Sequence, residues 1–191
     1  MTRKCSLAAE TSAGLYDQLL VTLAKNGDRK AADLLVRRWH PRLVRTARRY
    51  TGDAGLAEQL AQECWIGILR GLFGLRDPSR FAPWAFTIMR KKGADMIRTS
   101  ILEAERHHEP MDSSQAAQQE DRVAIAQAFA ALPTDQRLAA HLHFVEGLTL
   151  NEIAAVQGVP PGTAKTRIFH ARRKLKAALG EQAGTPTSKE T

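Results

Sequence analysis

The chain has 191 residues, 43% of them hydrophobic, which suits one domain or two small ones joined by a linker. Lys and Arg total 28 against 20 Asp and Glu, and the formal net charge of +8 biases the molecule toward a polyanion, nucleic acid or an anionic membrane face, without naming either. No apolar run approaches the roughly 18 residues that span a bilayer, residues 1–10 lack the apolar core of a secretory signal, and Cys5 and Cys64 stand too far apart for a zinc or redox pair; a cytoplasmic protein with no membrane insertion, no metal and no cofactor is expected.

Apolar residues recur at three-and-four spacing while hairpin signals are missing, so the sequence predicts an all-α protein: two small helical domains joined by a flexible linker. Residues 1–14 are expected to form a flexible N-terminus. Leu19, Leu20, Leu23, Ala24, Ala31, Leu34 and Leu35 predict two helices broken at Asn26-Gly27-Asp28, with Asp28 as an N-cap. The second runs into Arg37, Arg38, Arg42, Arg45, Arg48 and Arg49 and stops at Thr51-Gly52-Asp53. Along the next helix Leu56, Leu60, Cys64, Ile68 and Leu72 recur every four residues opposite Glu58, Gln59, Gln62 and Glu63, so Cys64 reads as a small buried hydrophobe.

After a loop with Gly74, Asp77, Pro78 and Ser79, Pro83 opens a helix whose apolar side carries Trp84, Phe86, Ile88, Met89 and Ile97 and whose polar side carries Arg90, Lys91, Lys92 and Arg98. The first domain is placed at 15–98, a polar linker at 99–120, the second domain at 121–180 and a flexible tail at 181–191. His107 and His108, adjacent on the linker, do not converge on one ion. His141 and His143, two apart, fall on different helix faces and read as ordinary helix residues.

In the second domain Thr149 and Glu152 form a capping box, Gly158 stops a short helix, and Pro160-Pro161-Gly162 makes a corner. A long helix follows with Ala164, Ile168, Ala171, Leu175 and Leu179 on one side, and two helices joined by so short a turn describe a helix-turn-helix. Its outward side holds Lys165, Thr166, Phe169, His170, Arg173 and Lys176, with nothing acidic between Glu152 and Glu181. Cations there neutralise phosphates or reach guanine edges, Phe169 suits a thymine methyl, and the Gly162 and Thr163 amides suit a phosphate. A merely solvated basic helix would explain the charges, but not the cap, the corner and the exposed aromatic together.

These residues resemble a known family. Leu132-Pro133, the run Glu146 to Ala154 and the run Gly162 to Arg172 look like the fourth domain of extracytoplasmic-function sigma factors. Trp39-His40-Pro41-Arg42-Leu43, Gly52-Asp53, Ala57 to Glu63, Phe81 to Trp84 and Asp95 to Arg98 are similar to the second domain of the same family. The resemblance spans roughly residues 15 to 180. It implies a subunit that binds core RNA polymerase and promoter DNA and is restrained by an anti-sigma factor.

Carried over by position, Glu58, Gln59, Gln62 and Glu63 would dock on the clamp coiled coil of the polymerase largest subunit. Arg76, Arg80, Phe81, Arg90, Lys91, Lys92 and Arg98 would read and open the minus-ten region, where an unstacked base needs a pocket and the displaced strand needs cations. Trp84 there suits either stacking or core packing. Lys165, Thr166, Arg167, Phe169, His170 and Arg173 would read the minus-thirty-five element. Gln59, Lys91 and His170 depart from the Asp, Asn and Arg usual in the family. An autonomous helix-turn-helix regulator would share the last helix but leave the first domain unexplained, and a nucleic-acid enzyme would need a catalytic constellation that the acidic residues do not form.

Overall fold

The computed structural model describes residues 2–107 and 127–182, with side chains placed for 12–99 and 127–178. Four long helices come first: α1 (Thr2–Lys25), α2 (Arg29–Thr51), α3 (Ala54–Gly71) and α4 (Phe81–His107), with single 3-10 turns at Leu72–Gly74 and Pro78–Arg80. A helical turn at 127–130 leads into α5 (Thr134–Phe144), α6 (Leu150–Gln157) and α7 (Pro161–Gln182). No strand occurs among the described residues.

Local chemistry sets the helix ends. Asp28 accepts hydrogen bonds from the Lys30 and Ala31 amides at 2.9 and 3.1 Å to start α2, and Gly52 ends it in the left-handed region (φ 82°), open to glycine at no steric cost. Asp53 accepts from the Leu56 amide at 2.7 Å to start α3. Asp77 accepts from the Ser79 amide and hydroxyl, bonds that hold its carboxyl below the usual carboxylate range. Two expected boundaries differ: α1 starts at Thr2 rather than near Leu15, and α4 continues past Arg98 to His107. The expected start of the second domain near Asp121, and most of the linker, lie outside the described residues.

The first four helices close around Trp39, Leu43, Leu60, Ile68, Phe81, Phe86 and Met89, all fully buried. Trp39 meets Phe81 edge-on at 4.8 Å and lies 6.0 Å from Phe86, an arrangement aromatic quadrupoles favour. Helix α4 crosses α2 and α3 so closely that a Cβ at Gly93 would stand 2.8 Å from Leu60 Cδ2 and from Tyr50 Cε1, and one at Gly71 would stand 2.9 Å from the Trp84 ring. Trp84 is therefore a half-buried packing residue over Gly71.

The two halves touch. Helix α5 packs along α2 and α6 packs against α4, and Leu138, Leu142, Leu148, Ile153 and Val156 join the same apolar core as the first four helices. A separate small cluster of Ala128, Phe129, Leu132, Ala140, Ala171 and Leu175 lies within the second domain.

Candidate nucleic-acid interface

The helix-turn-helix element is built as its sequence implies. The Thr149 hydroxyl accepts from the Glu152 amide while the Glu152 carboxylate accepts from the Thr149 amide at 2.8 Å, closing the capping box, and Gly158 ends α6 at φ 64°. Ala164, Ile168, Ala171 and Leu175 anchor α7 inward. Lys165, Thr166, Arg173 and Lys176 face solvent, His170 is half-buried, and Phe169 is 61% exposed, its ring 5.6 Å from that of His170. An exposed phenyl flanked by cations and hydroxyl is what a groove lined by phosphates and thymine methyls would contact.

Two expectations on α7 change. Arg167 does not face outward with the others: its Nη2 donates to Asp135 Oδ2 at 2.6 Å and its Nη1 to Gln157 Oε1 at 2.9 Å, while Gln157 Nε2 donates to the Asp135 carbonyl at 2.8 Å. The guanidinium thus ties α7 to α5 and α6 and sets the orientation of the reading helix. The Thr163 amide, expected to hold a phosphate, donates to the Pro160 carbonyl at 3.0 Å.

In the first domain Arg76, Arg80, Lys91 and Arg98 are exposed and lie along the turn before α4 and on α4 itself. Arg80 and Arg98 make only long, exposed pairs with Asp77 and Asp95, at 3.9 and 4.0 Å, contacts worth little in water. Lys92 donates to Glu63 at 2.9 Å, a contact that lowers the Glu63 pKa. Arg90 is half-buried against the second domain, and its Nε has no hydrogen-bond partner. Phe81 is a correction: at 1% exposure, wedged on Trp39, it holds the core and could not stack on a base without leaving it.

Of the expected polymerase-docking residues, Glu58, Gln59 and Gln62 are exposed on α3, with Glu58 3.2 Å from His40 Nε2, and Glu63 is half-buried beside Lys92.

Sequence reasoning missed a polar cluster where the domains meet. Glu146 accepts from Arg42 Nε at 2.8 Å and Nη2 at 2.7 Å. Arg42 also lies over the Trp39 ring at 3.9 Å and reaches Asp17 at 3.5 Å, and Asp17 in turn bonds Arg38. His141 is a second correction, since its ring is buried and its Nε2 is 3.1 Å from the Thr46 hydroxyl. Thr46 already donates to the Arg42 carbonyl at 2.9 Å, so it accepts from His141, which puts the ring proton on Nε2. Its spacing from Leu138 and Leu142 on the apolar side of α5 was the available signal.

The comparisons with known proteins follow this two-domain layout. The Sigma-70 region 2 profile matches residues 35–100, and the Sigma-70, region 4 profile matches residues 122–175. The RNA polymerase sigma-H factor of Pseudomonas aeruginosa is 31% identical over 180 residues, covering 85% of this chain and 93% of that protein. The ECF RNA polymerase sigma-E factor of Escherichia coli K12 is 29% identical over 181 residues, covering 86% and 94%. Among solved structures, CnrH in complex with the cytosolic domain of CnrY superposes with a TM-score of 0.62 at 26% identity over 89% of this chain and 99% of that one. The sigma factor RpoE of Bartonella quintana, in complex with the anti-sigma factor NepR, gives 0.71 over 79% and 98%; at 24% identity it speaks for the fold alone.

Region 2 and region 4 in this order define a transcription initiation factor. The chain belongs to the RNA polymerase sigma factor family, in its extracytoplasmic-function group.

Proposed function

We propose that this protein binds core RNA polymerase in the cytoplasm and directs promoter-specific initiation, acting by binding rather than by catalysis. The observation that carries the reading is the outward face of α7: Lys165, Thr166, Phe169, His170 and Arg173 stand on the second helix of a capped helix-turn-helix, in a chain that also has the family's region 2. These five side chains contact the minus-thirty-five element, and Arg167 positions them. Arg76, Arg80, Lys91 and Arg98 engage the minus-ten region, joined by Arg90 once it leaves the second domain and by Lys92 once it leaves Glu63. Glu58, Gln59, Gln62 and Glu63 form the docking face on the polymerase clamp. An anti-sigma factor is the restraining partner that the family resemblance implies. Among the described residues no helix is long and apolar enough to cross a membrane.

Run-off transcription with purified core polymerase on a library of genomic templates tests the reading. Wild type is expected to give discrete transcripts, and Lys165→Ala/Arg173→Ala is expected to bind core equally well but to lose most of them. Core binding without any promoter-dependent transcript would defeat the proposal.

A further inference from the structure

The path from α3 to α4, which carries Arg76 and Arg80, alternates between anchors and exposed positions. Leu72, Leu75 and Phe81 are buried, whereas Gly74, Arg76, Asp77, Ser79 and Arg80 are exposed. Local bonds shape its turns: the Leu75 amide donates to the Leu72 carbonyl at 3.1 Å, the Arg80 amide donates to the Asp77 carbonyl at 3.0 Å, and Asp77 accepts from Ser79. These bonds set the internal shape of each turn. They do not set how the turns are aimed from the bundle, and the burial of Leu75 does not either, because apolar contact has no direction.

A side chain from another helix supplies that direction. Lys25, the last residue of α1, donates from Nζ to the Leu75 carbonyl, 50 positions away in sequence. The Leu75 carbonyl and the Arg76 amide share one planar peptide unit, so a directional bond to that oxygen orients the plane from which Arg76 departs. Helix α1 is itself well held. Leu20, Val21 and Ala24 are buried in the bundle, and Asp17 binds Arg38 and lies 3.5 Å from Arg42, both on α2. Lys25 is half-buried and stands where the α1 dipole favours a cation, so its ammonium reaches the loop from a fixed base.

We propose that Lys25 is a positioning residue for promoter specificity: by holding the Leu75–Arg76 peptide it aims Arg76, and the turn with Arg80 that follows, at the minus-ten strand without touching DNA itself. This rests on the sigma-factor reading above. A reading loop aimed before the strand arrives discriminates better than one that adjusts to each base, because an adjustable loop accommodates the wrong base as well as the right one.

The test uses the full chain and reads the loop and the promoter separately. In hydrogen exchange on the free protein, Lys25→Met, which keeps the stem and removes the donor, is expected to raise exchange of the amides of 75–80 about tenfold and to leave α5, α6 and α7 unchanged. With core polymerase, on the template giving the strongest run-off transcript and on its single-base variants, Lys25→Met is expected to cut discrimination at the minus-ten element about fivefold and to leave the minus-thirty-five element as it is. Lys25→Arg, which keeps a donor, is expected to restore most of the loss. The salt slope of promoter binding is expected to stay unchanged, since a lost phosphate contact would lower it by about 1. Lys25→Ala, with the best helix former, gives the same pattern should Lys25→Met fold poorly. Unchanged loop exchange in a folded variant, equal losses at both promoter elements, or a lowered salt slope would each overturn the proposal. Absence of transcripts from wild type itself would instead sink the sigma-factor reading, and the exchange measurement then still decides whether Lys25 orders the loop.

Discussion

The first domain packs large side chains against one another, with Trp39, Phe81, Phe86 and Met89 at its centre, whereas half of the described cluster belonging to the second domain alone is alanine: Ala128, Ala140 and Ala171 beside Phe129, Leu132 and Leu175. Burial stabilises roughly in proportion to apolar area, so the second domain gains less from its own interior. Among the described residues several of its larger apolar side chains, Leu138, Leu142, Leu148, Ile153 and Val156, join the core of the first domain. The comparison teaches that the DNA-reading module at the C-terminal end leans on the N-terminal bundle, and that separating the two exposes apolar surface as well as charge.

The largest effect that could break this contrast lies at the aromatic centre. Trp39→Ala is expected to cost about 3–5 kcal/mol, and Leu175→Ala, at the edge of the small cluster, about 2 kcal/mol, both read by urea denaturation; equal losses would remove the asymmetry. A smaller effect should appear in acid. Burial alone would raise the Glu146 pKa, but contact with His141 and the Arg42 cation outweigh it and the value is lowered. A lowered folded-state pKa gives stability that is present above the unfolded value of about 4.3 and is lost as pH falls through the folded one. Denaturation midpoints below about pH 4.3 should therefore fall more steeply in wild type than in Glu146→Gln, and parallel curves would detach this carboxylate from domain stability. The smallest is Thr149→Ala, which removes one half of the capping box and should cost about 1 kcal/mol in a thermal melt without altering the first domain.

What could be read from the chain beforehand was local. Asn26-Gly27-Asp28, Thr51-Gly52-Asp53, the Thr149–Glu152 box and Gly158 each act within a few residues, and each end lies where the pattern puts it. Ala8, Ala9 and Ala13 favour a helix without forming an apolar stripe, so the early start of α1 left no periodic signal. The orientation of Arg167 depends on Asp135, 32 positions away, and that of Arg42 on Glu146, 104 positions away. The resemblance places Phe81 among the strand-opening residues because it closes the loop that carries Arg76 and Arg80, whereas its own side chain is decided by Trp39 across the bundle. Outward-facing α7 residues were legible because helical periodicity sorts them from Ala164, Ile168, Ala171 and Leu175; the docked domain faces were not, since a residue there looks amphipathic from either side.

The crossing of α4 over α2 and α3 at Gly93 constrains how this sequence could drift. Any side chain at that position collides with Leu60 and Tyr50, which come from two different helices. A replacement at 93 therefore requires the Leu60 and Tyr50 side chains to shift or to be smaller, which couples these three positions across the bundle.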